Sequence, residues 1–284
     1  MLAGLTGIFG KLITLNEGLL VWYRLLFTSI LVFVFLLAIK KIPKVSFRDF
    51  RRISVIGGLL AIHWIFFYGS IKASNISIGV VCFSAIGFFT AIFEPLILRT
   101  RFSAKELIYS LITLAGVALI FSFDLRFRTG IILGIISSAL ASLFTIATKK
   151  IGKDYPPRTI LLYEMLGGFI VLSLILPFYL KAFPVESILP DAHDLIYLLL
   201  FCIFCTILLQ LLQIQVLKKI SAFTVNLSYN LEPVYSIILA MLFFGEAKEL
   251  NYAFYAGVSL IVLSVILQMR SSIKENKTVP KVQV

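Results

Sequence analysis

Residues 222–244 read AFTVNLSYNLEPVYSIILAMLFF. This stretch carries one charged residue, Glu232, and is long enough as a helix (about 34 Å at 1.5 Å per residue) to cross a hydrocarbon core of about 30 Å. Its polar residues sit in its first two-thirds: Asn226, Ser228, Tyr229, Asn230, Glu232 and Ser236. Pro233 removes one backbone N–H and crowds the carbonyl of Tyr229, freeing acceptors that lipid cannot satisfy. Asn226 and Asn230 share one helix face; Ser228, Glu232 and Ser236 share another, roughly opposite. One face is expected to line a cavity and the other to pack on a neighbour.

Outward from this stretch, the chain repeats itself. A shift of 146 positions lays residues 79–121 on 225–267 without a gap. Ile92 meets Ile238, Leu96 meets Leu242, Tyr109 meets Tyr255 and Gly87 meets Pro233. Trp22-Tyr23-Arg24 roughly matches Leu162-Tyr163-Glu164. Apolar blocks fall at about 1–15, 18–39, 53–71, 76–98, 105–123, 129–148, 159–180, 194–216, 222–244 and 251–269. Five spans per half is an odd number, so the halves run in opposite senses through the membrane. The expected fold is an all-α integral membrane protein with ten transmembrane helices in two inverted five-helix repeats. Residues 1–124 form the first repeat, 125–269 the second, and 270–284 a short basic tail. The first block has only about 14 residues before Asn16, so either the chain starts upstream of Met1 or its neighbours hold a short helix. No cleavable signal peptide is expected, since no basic stretch precedes that block.

With 60% hydrophobic and 14% charged residues in 284, a soluble enzyme and a disordered chain are both excluded. The net charge of +12 follows from orientation. With the N-terminus cytoplasmic, 19 of the 26 basic residues fall in the inside segments, five fall outside, and Lys11 and Arg24 lie within spans. That split obeys the positive-inside rule and places both termini in the cytoplasm, in a multi-pass protein of the plasma (bacterial inner) membrane. A nucleic-acid partner is not needed to explain a charge dispersed over five loops. Cys82, Cys202 and Cys205 lie inside apolar spans and read as small helix residues rather than redox or zinc groups.

Arg24, the His63-Trp64 pair, and the run from Leu231-Glu232-Pro233-Val234 to Phe244-Gly245-Glu246 resemble an EamA-type permease of the drug/metabolite transporter superfamily. The first half departs from the pattern: Gly87 stands where a proline is expected and Thr100 where the terminal glutamate is expected. The resemblance implies a central substrate cavity and alternating access.

Ionisable groups at bilayer depth cost several kcal/mol unless paired or hydrated. Six fall in the spans: Lys11, Arg24, His63, Glu94, Glu164 and Glu232. Arg24 either snorkels outward or holds a carboxylate or an anionic substrate group. Lys11 reads first as an interfacial anchor. His63 lies midway along its span beside Trp64 and before Tyr68, and can titrate near neutral pH. Glu94 is expected to pair with Arg99 or Arg101 as a bridge or gate. Glu164 lies in the first turns of its span near Arg158. The candidate substrate pathway comprises His63, Trp64, Tyr68, Ser84, Gly87, Gln210, Gln213, Asn226, Tyr229, Asn230, Glu232 and Pro233. Lys11, Arg24, Glu94 and Glu164 are candidate charged pathway or gate residues. Gly130, Gly134, Ser138 and Ser142 recur every four residues and predict close helix packing.

No Walker A loop, HExxH, GxGxxG or Ser-His-Asp set is present, so neither a metal nor a cofactor is expected. The function expected is secondary transport of a small metabolite, amino acid or amphipathic drug-like compound, outward, driven by its gradient or by proton exchange. The partners are that small molecule, the lipid bilayer and H+; a homodimer is allowed but not indicated. The alternatives are a membrane enzyme acting on a lipid-linked substrate, with His63 and a glutamate as acid and base, and a non-transporting sensor or assembly partner.

Overall fold

Short polar residues start the long helices. Asn16 Oδ1 accepts from Leu19 N (2.8 Å), and Ser46 Oγ accepts from Asp49 N (3.2 Å). Asp191 Oδ1 accepts from Asp194 N (2.6 Å), and Pro157 sits in the first turn of its helix. Each device satisfies or removes an orphan N–H of a helix N-terminus. The computed structural model describes residues 2–123, 127–229, 232–245 and 252–278. No strand occurs among them.

In chain order the helices are α1 (Leu5–Leu12), α2 (Glu17–Ala38), α3 (Phe47–Ala73), α4 (Ile76–Phe83), α5 (Ile86–Leu98), α6 (Ala104–Phe123), α7 (Arg128–Ile151), α8 (Pro157–Ala182), α9 (Ala192–Leu200), α10 (Leu209–Leu217), α11 (Ala222–Tyr229), α12 (Glu232–Phe244) and α13 (Tyr252–Thr278). A π-helical stretch, Phe201–Leu208, joins α9 to α10. Among the described residues, seven stretches are long and apolar enough to cross a membrane: α2, α3, α7, α8, Ile76–Leu98, Ala192–Leu217 and Ala222–Phe244. Tyr252–Leu267 is a shorter apolar helix. The protein is therefore an all-helical integral membrane protein.

α3 lies at the centre, against α7 on one side and α8 on the other. The α3–α8 crossing is a backbone contact. A Cβ on Gly57 would stand 1.9 Å from the Glu164 carbonyl oxygen, and one on Gly167 would stand 2.3 Å from Ser54 Cα. The small-residue stripe of α7 makes the other seam. A Cβ on Gly134 would meet Cys82 Cβ at 2.6 Å, Ser138 Oγ donates to the Cys82 carbonyl (2.9 Å), and Ser142 Oγ accepts from Thr90 Oγ1 (2.9 Å). Small residues let membrane helices approach until backbone groups and hydroxyls do the joining.

The 146-residue shift also maps local structure. The Asn75 side chain caps Ile78 N (2.9 Å), and the Ser221 side chain caps Thr224 N (3.0 Å). Leu98 and Phe244 end α5 and α12, and each is followed by a left-handed residue, Arg99 (φ 54°) and Gly245 (φ 66°). α6 packs on α13, where a Cβ on Gly116 would lie 2.6 Å from the Gly257 carbonyl oxygen.

Replacing Gly57 with valine should force α3 and α8 apart and cost about 1–3 kcal/mol, as overpacking does. Gly69→Ala should be near neutral, because a Cβ there meets nothing closer than 3.5 Å. Thermal unfolding of the two purified variants checks the contrast; equal stabilities would refute the backbone contact.

Candidate functional site

Arg24, two turns into α2, is 2% exposed. Its Nε donates to Thr206 Oγ1 (2.8 Å), NH1 to Tyr68 Oη (2.6 Å) and NH2 to the Cys205 carbonyl (3.1 Å). Its flat faces are covered by Trp64 (3.6 Å to the ring centroid) and Phe201 (4.1 Å). The π-helical stretch makes room for this. Its wider turn places Thr206 over the Phe201 carbonyl five residues back (3.2 Å), and the Cys205 carbonyl faces the guanidinium. No carboxylate among the described residues lies within ion-pair distance, 4.0 Å, of Arg24. Three of its five N–H groups are used, so a rigid cation with spare donors remains.

Arg24 borders a cavity of about 60 Å³. α3 contributes Leu60, His63, Trp64, Phe67 and Tyr68; α7 contributes Ala141, Phe144 and Thr145; α10 contributes Gln210 and Gln213. Ala3 and Thr6, Phe83, Ile86, Cys205, Leu209, Tyr229 and Glu232 complete the wall. His63 Nδ1 lies 2.9 Å from both the carbonyl oxygen and the hydroxyl of Ser137. The ring stacks on Phe83 (5.5 Å between centroids). Tyr229 Oη donates to Gln213 Oε1 (2.8 Å), and Thr6 Oγ1 donates to Glu232 Oε1 (2.9 Å). Gln210 Oε1 is buried without a hydrogen-bond partner. The cavity thus offers a buried cation, a buried carboxyl, two amides, an imidazole and aromatic faces.

Of the residues singled out from sequence, Arg24, His63, Trp64, Tyr68, Gln210, Gln213, Tyr229 and Glu232 border this cavity. Four others are buried between helices instead. Asn226 Nδ2 donates to Thr90 Oγ1 (2.8 Å), Ser84 Oγ contacts its own helix at the Val80 carbonyl (3.5 Å), and Gly87 and Pro233 are enclosed in α5 and α12. Asn230 lies outside the described residues. Lys11 is exposed at the end of α1.

Glu94 does not pair with Arg99 or Arg101, which are exposed beyond the left-handed end of α5. Its Oε1 accepts from Lys149 Nζ (3.0 Å) and Ala222 N (2.9 Å), and its Oε2 from Phe223 N (2.8 Å). The carboxylate therefore caps the positive end of α11 and joins α5, α7 and α11. Glu164 is not held by the exposed Arg158; Thr148 Oγ1 donates to its Oε1 (2.8 Å), away from the cavity.

Several wall residues escaped the sequence reading: Thr6, Phe67, Phe83, Phe144, Thr145 and Cys205. In uniformly apolar helices no periodicity marks the inward face. Asp194 was also missed. It is 1% exposed and accepts from Thr14 N and Thr14 Oγ1 (both 2.8 Å), fastening α9 to the end of α1. Its place at the head of an apolar block was a usable capping signal. Nearby, Lys72 Nζ donates to the Leu15 carbonyl and Tyr179 Oη to Glu17.

The EamA-like transporter family profile matches residues 1–122 and 128–270. An "Uncharacterized transporter" of Clostridium kluyveri is 24% identical over 213 residues, which cover 72% of this chain and 66% of that protein. A solved crystal structure of a protein superimposes with a TM-score of 0.68 over 94% of this chain and 92% of its own, at 14% identity, a likeness of fold alone. The chain belongs to the EamA-like transporter family.

Glu94→Ala should cost about 3 kcal/mol, because it strips Lys149 of its partner and uncaps α11. Tyr68→Phe should cost about 1–3 kcal/mol by removing one acceptor of a buried guanidinium. Melting curves of both variants test these assignments, and wild-type stability in either would refute the corresponding one.

Proposed function

We propose that this chain is a secondary transporter that moves a small metabolite, amino acid or amphipathic drug-like compound outward by alternating access. The observation that carries this is Arg24, a buried and immobilised cation with spare donors, no carboxylate partner among the described residues, and a place on a cavity wall. A substrate bearing an anionic group would complete its hydrogen bonding, while Trp64, Phe67, Phe83 and Phe144 offer apolar contact.

The cavity wall draws on both halves of the sequence: Arg24, His63, Trp64 and Tyr68 from the first, Thr145, Gln210, Gln213 and Glu232 from the second. Ten spans in two inverted five-helix repeats, 1–124 and 125–269, account for this. In support, the 146-residue shift carries N-cap onto N-cap and left-handed helix end onto left-handed helix end. The family profile also divides at nearly the same place. Rocking of one half on the other would open the cavity to each side in turn. Orientation by the positive-inside rule places both termini in the cytoplasm.

Flux measured in reconstituted vesicles, with a panel of anionic, zwitterionic and cationic metabolites, tests this. Anionic and zwitterionic compounds should be carried, and Arg24→Lys should reduce their flux by about tenfold or more, since an ammonium cannot reproduce the fork. Flux of cationic compounds alone would overturn the assignment of Arg24.

A further inference from the structure

Among the described residues, Glu164 belongs to neither the cavity nor any ion pair. Its side chain is fully buried (0% exposed). Thr148 Oγ1 donates to Oε1, and Oε2 is buried without a hydrogen-bond partner. The residue sits at the α3–α8 crossing, where the Gly57 Cβ position would lie 1.9 Å from its carbonyl oxygen and the Gly168 Cβ position 2.7 Å from the Gly57 carbonyl oxygen. Two more hydroxyls on these helices, Ser54 and Thr159, are also buried without partners.

The charged and titratable groups on every packed element are committed elsewhere. On α3, Arg48, Arg51 and Arg52 are exposed, Asp49 pairs with Arg52 and Ser46, His63 is bound to Ser137, Tyr68 serves Arg24, and Lys72 serves the Leu15 carbonyl. On α7, Lys149 holds Glu94, and Arg128 and Lys150 are exposed. On α2, Arg24 is held by Tyr68, Thr206 and Cys205, Tyr23 packs on Trp22 and Phe27, and Glu17 faces Tyr179. On α8 itself, Arg158 and Lys181 are exposed and Tyr163 donates to the Pro43 carbonyl. α10 has no charged residue. None of these groups lies within 4.0 Å of the Glu164 carboxyl as an ion pair.

An ionised carboxylate in that position would keep one hydroxyl donor and one bare oxygen in apolar surroundings, an unfavourable state for a charge. The neutral acid avoids it. On the basis of the transport function proposed above, we infer that Glu164 is a proton-binding site separate from the substrate cavity, occupied in this conformation and emptied to water when α3 moves off α8. Because α3 lies in the first half of the chain and α7 and α8 in the second, relative movement of the halves would wet the carboxyl. The proton would then couple to transport without competing with substrate for Arg24.

Two measurements on the full chain in vesicles decide this. In infrared pH titration, the carbonyl stretch of a protonated carboxyl should be present at neutral pH and lost in Glu164→Gln. In flux assays, the acceleration produced by a pH gradient should fall by about tenfold in Glu164→Gln, within the usual range of coupling between sites. Downhill flux without a gradient should persist. Glu164→Leu serves the same purpose where the glutamine variant does not fold. An unchanged infrared spectrum overturns the proton site. A lost band with unchanged gradient dependence makes the proton structural and overturns the coupling. A wild type that carries none of the panel overturns the transport function and the coupling with it, while the infrared titration still decides the proton site.

Discussion

A guanidinium cannot be left bare at bilayer depth, and the centre of this molecule is arranged around that constraint. Arg24 is neutralised by no acid among the described residues. It is solvated instead by a hydroxyl, a phenol, a backbone carbonyl and two aromatic faces. Each of these must be brought to one point by a different element. Tyr68 and Trp64 require α3 to pass beside α2, and the Cys205 carbonyl requires the π-helical turn. The result is a fixed positive charge with spare donors on a cavity wall.

The position of α3 depends in turn on what is missing from its surface. With no Cβ at Gly57 of α3 or Gly168 of α8, the two backbones can touch, and Gly130 and Gly134 of α7 lie against Ser70 of α3. Lipid supplies no hydrophobic force to press helices together, so close contact and hydroxyl bonds carry the association. Glu94 adds a different kind of joint, a side chain from α5 that takes over the N-terminal N–H groups of α11. These joints lie between helices from different halves of the chain.

Seven of the ten blocks were legible as spans because apolar length is a strong signal in lipid, whereas among the described residues the block read as 1–15 holds only the eight-residue α1 and that read as 251–269 a shorter apolar helix. The block read as 18–39 is α2, Glu17–Ala38, and that read as 194–216 is the continuous stretch Ala192–Leu217. The block read as 53–71 grew to Phe47–Ala73 because Ser46 and Asp49 extend α3 into its basic, solvated start. The small-residue stripe on α7 was legible as a packing seam for the same reason that it works: four-residue spacing is one helix face. Which face of each helix turns inward was not legible, since an apolar helix carries no polar side to orient it. The partners of Arg24 on the π-helical stretch lie 181 and 182 residues away, and no local pattern joins them. Glu94 was expected among its neighbours Arg99 and Arg101, but the left-handed turn at Arg99 leads the chain away and Lys149 takes the place.

That turn has a consequence for the stability of the chain. Arg99 and Gly245 occupy the same left-handed corner at corresponding ends of α5 and α12. Glycine adopts it freely, whereas a residue with a Cβ gives up roughly 1–2 kcal/mol. A corner that survives an unfavourable side chain is fixed by the path of the chain around it and not by local preference. The corner at Arg99 is therefore held by the packing around it, and it is a place where glycine would relieve strain.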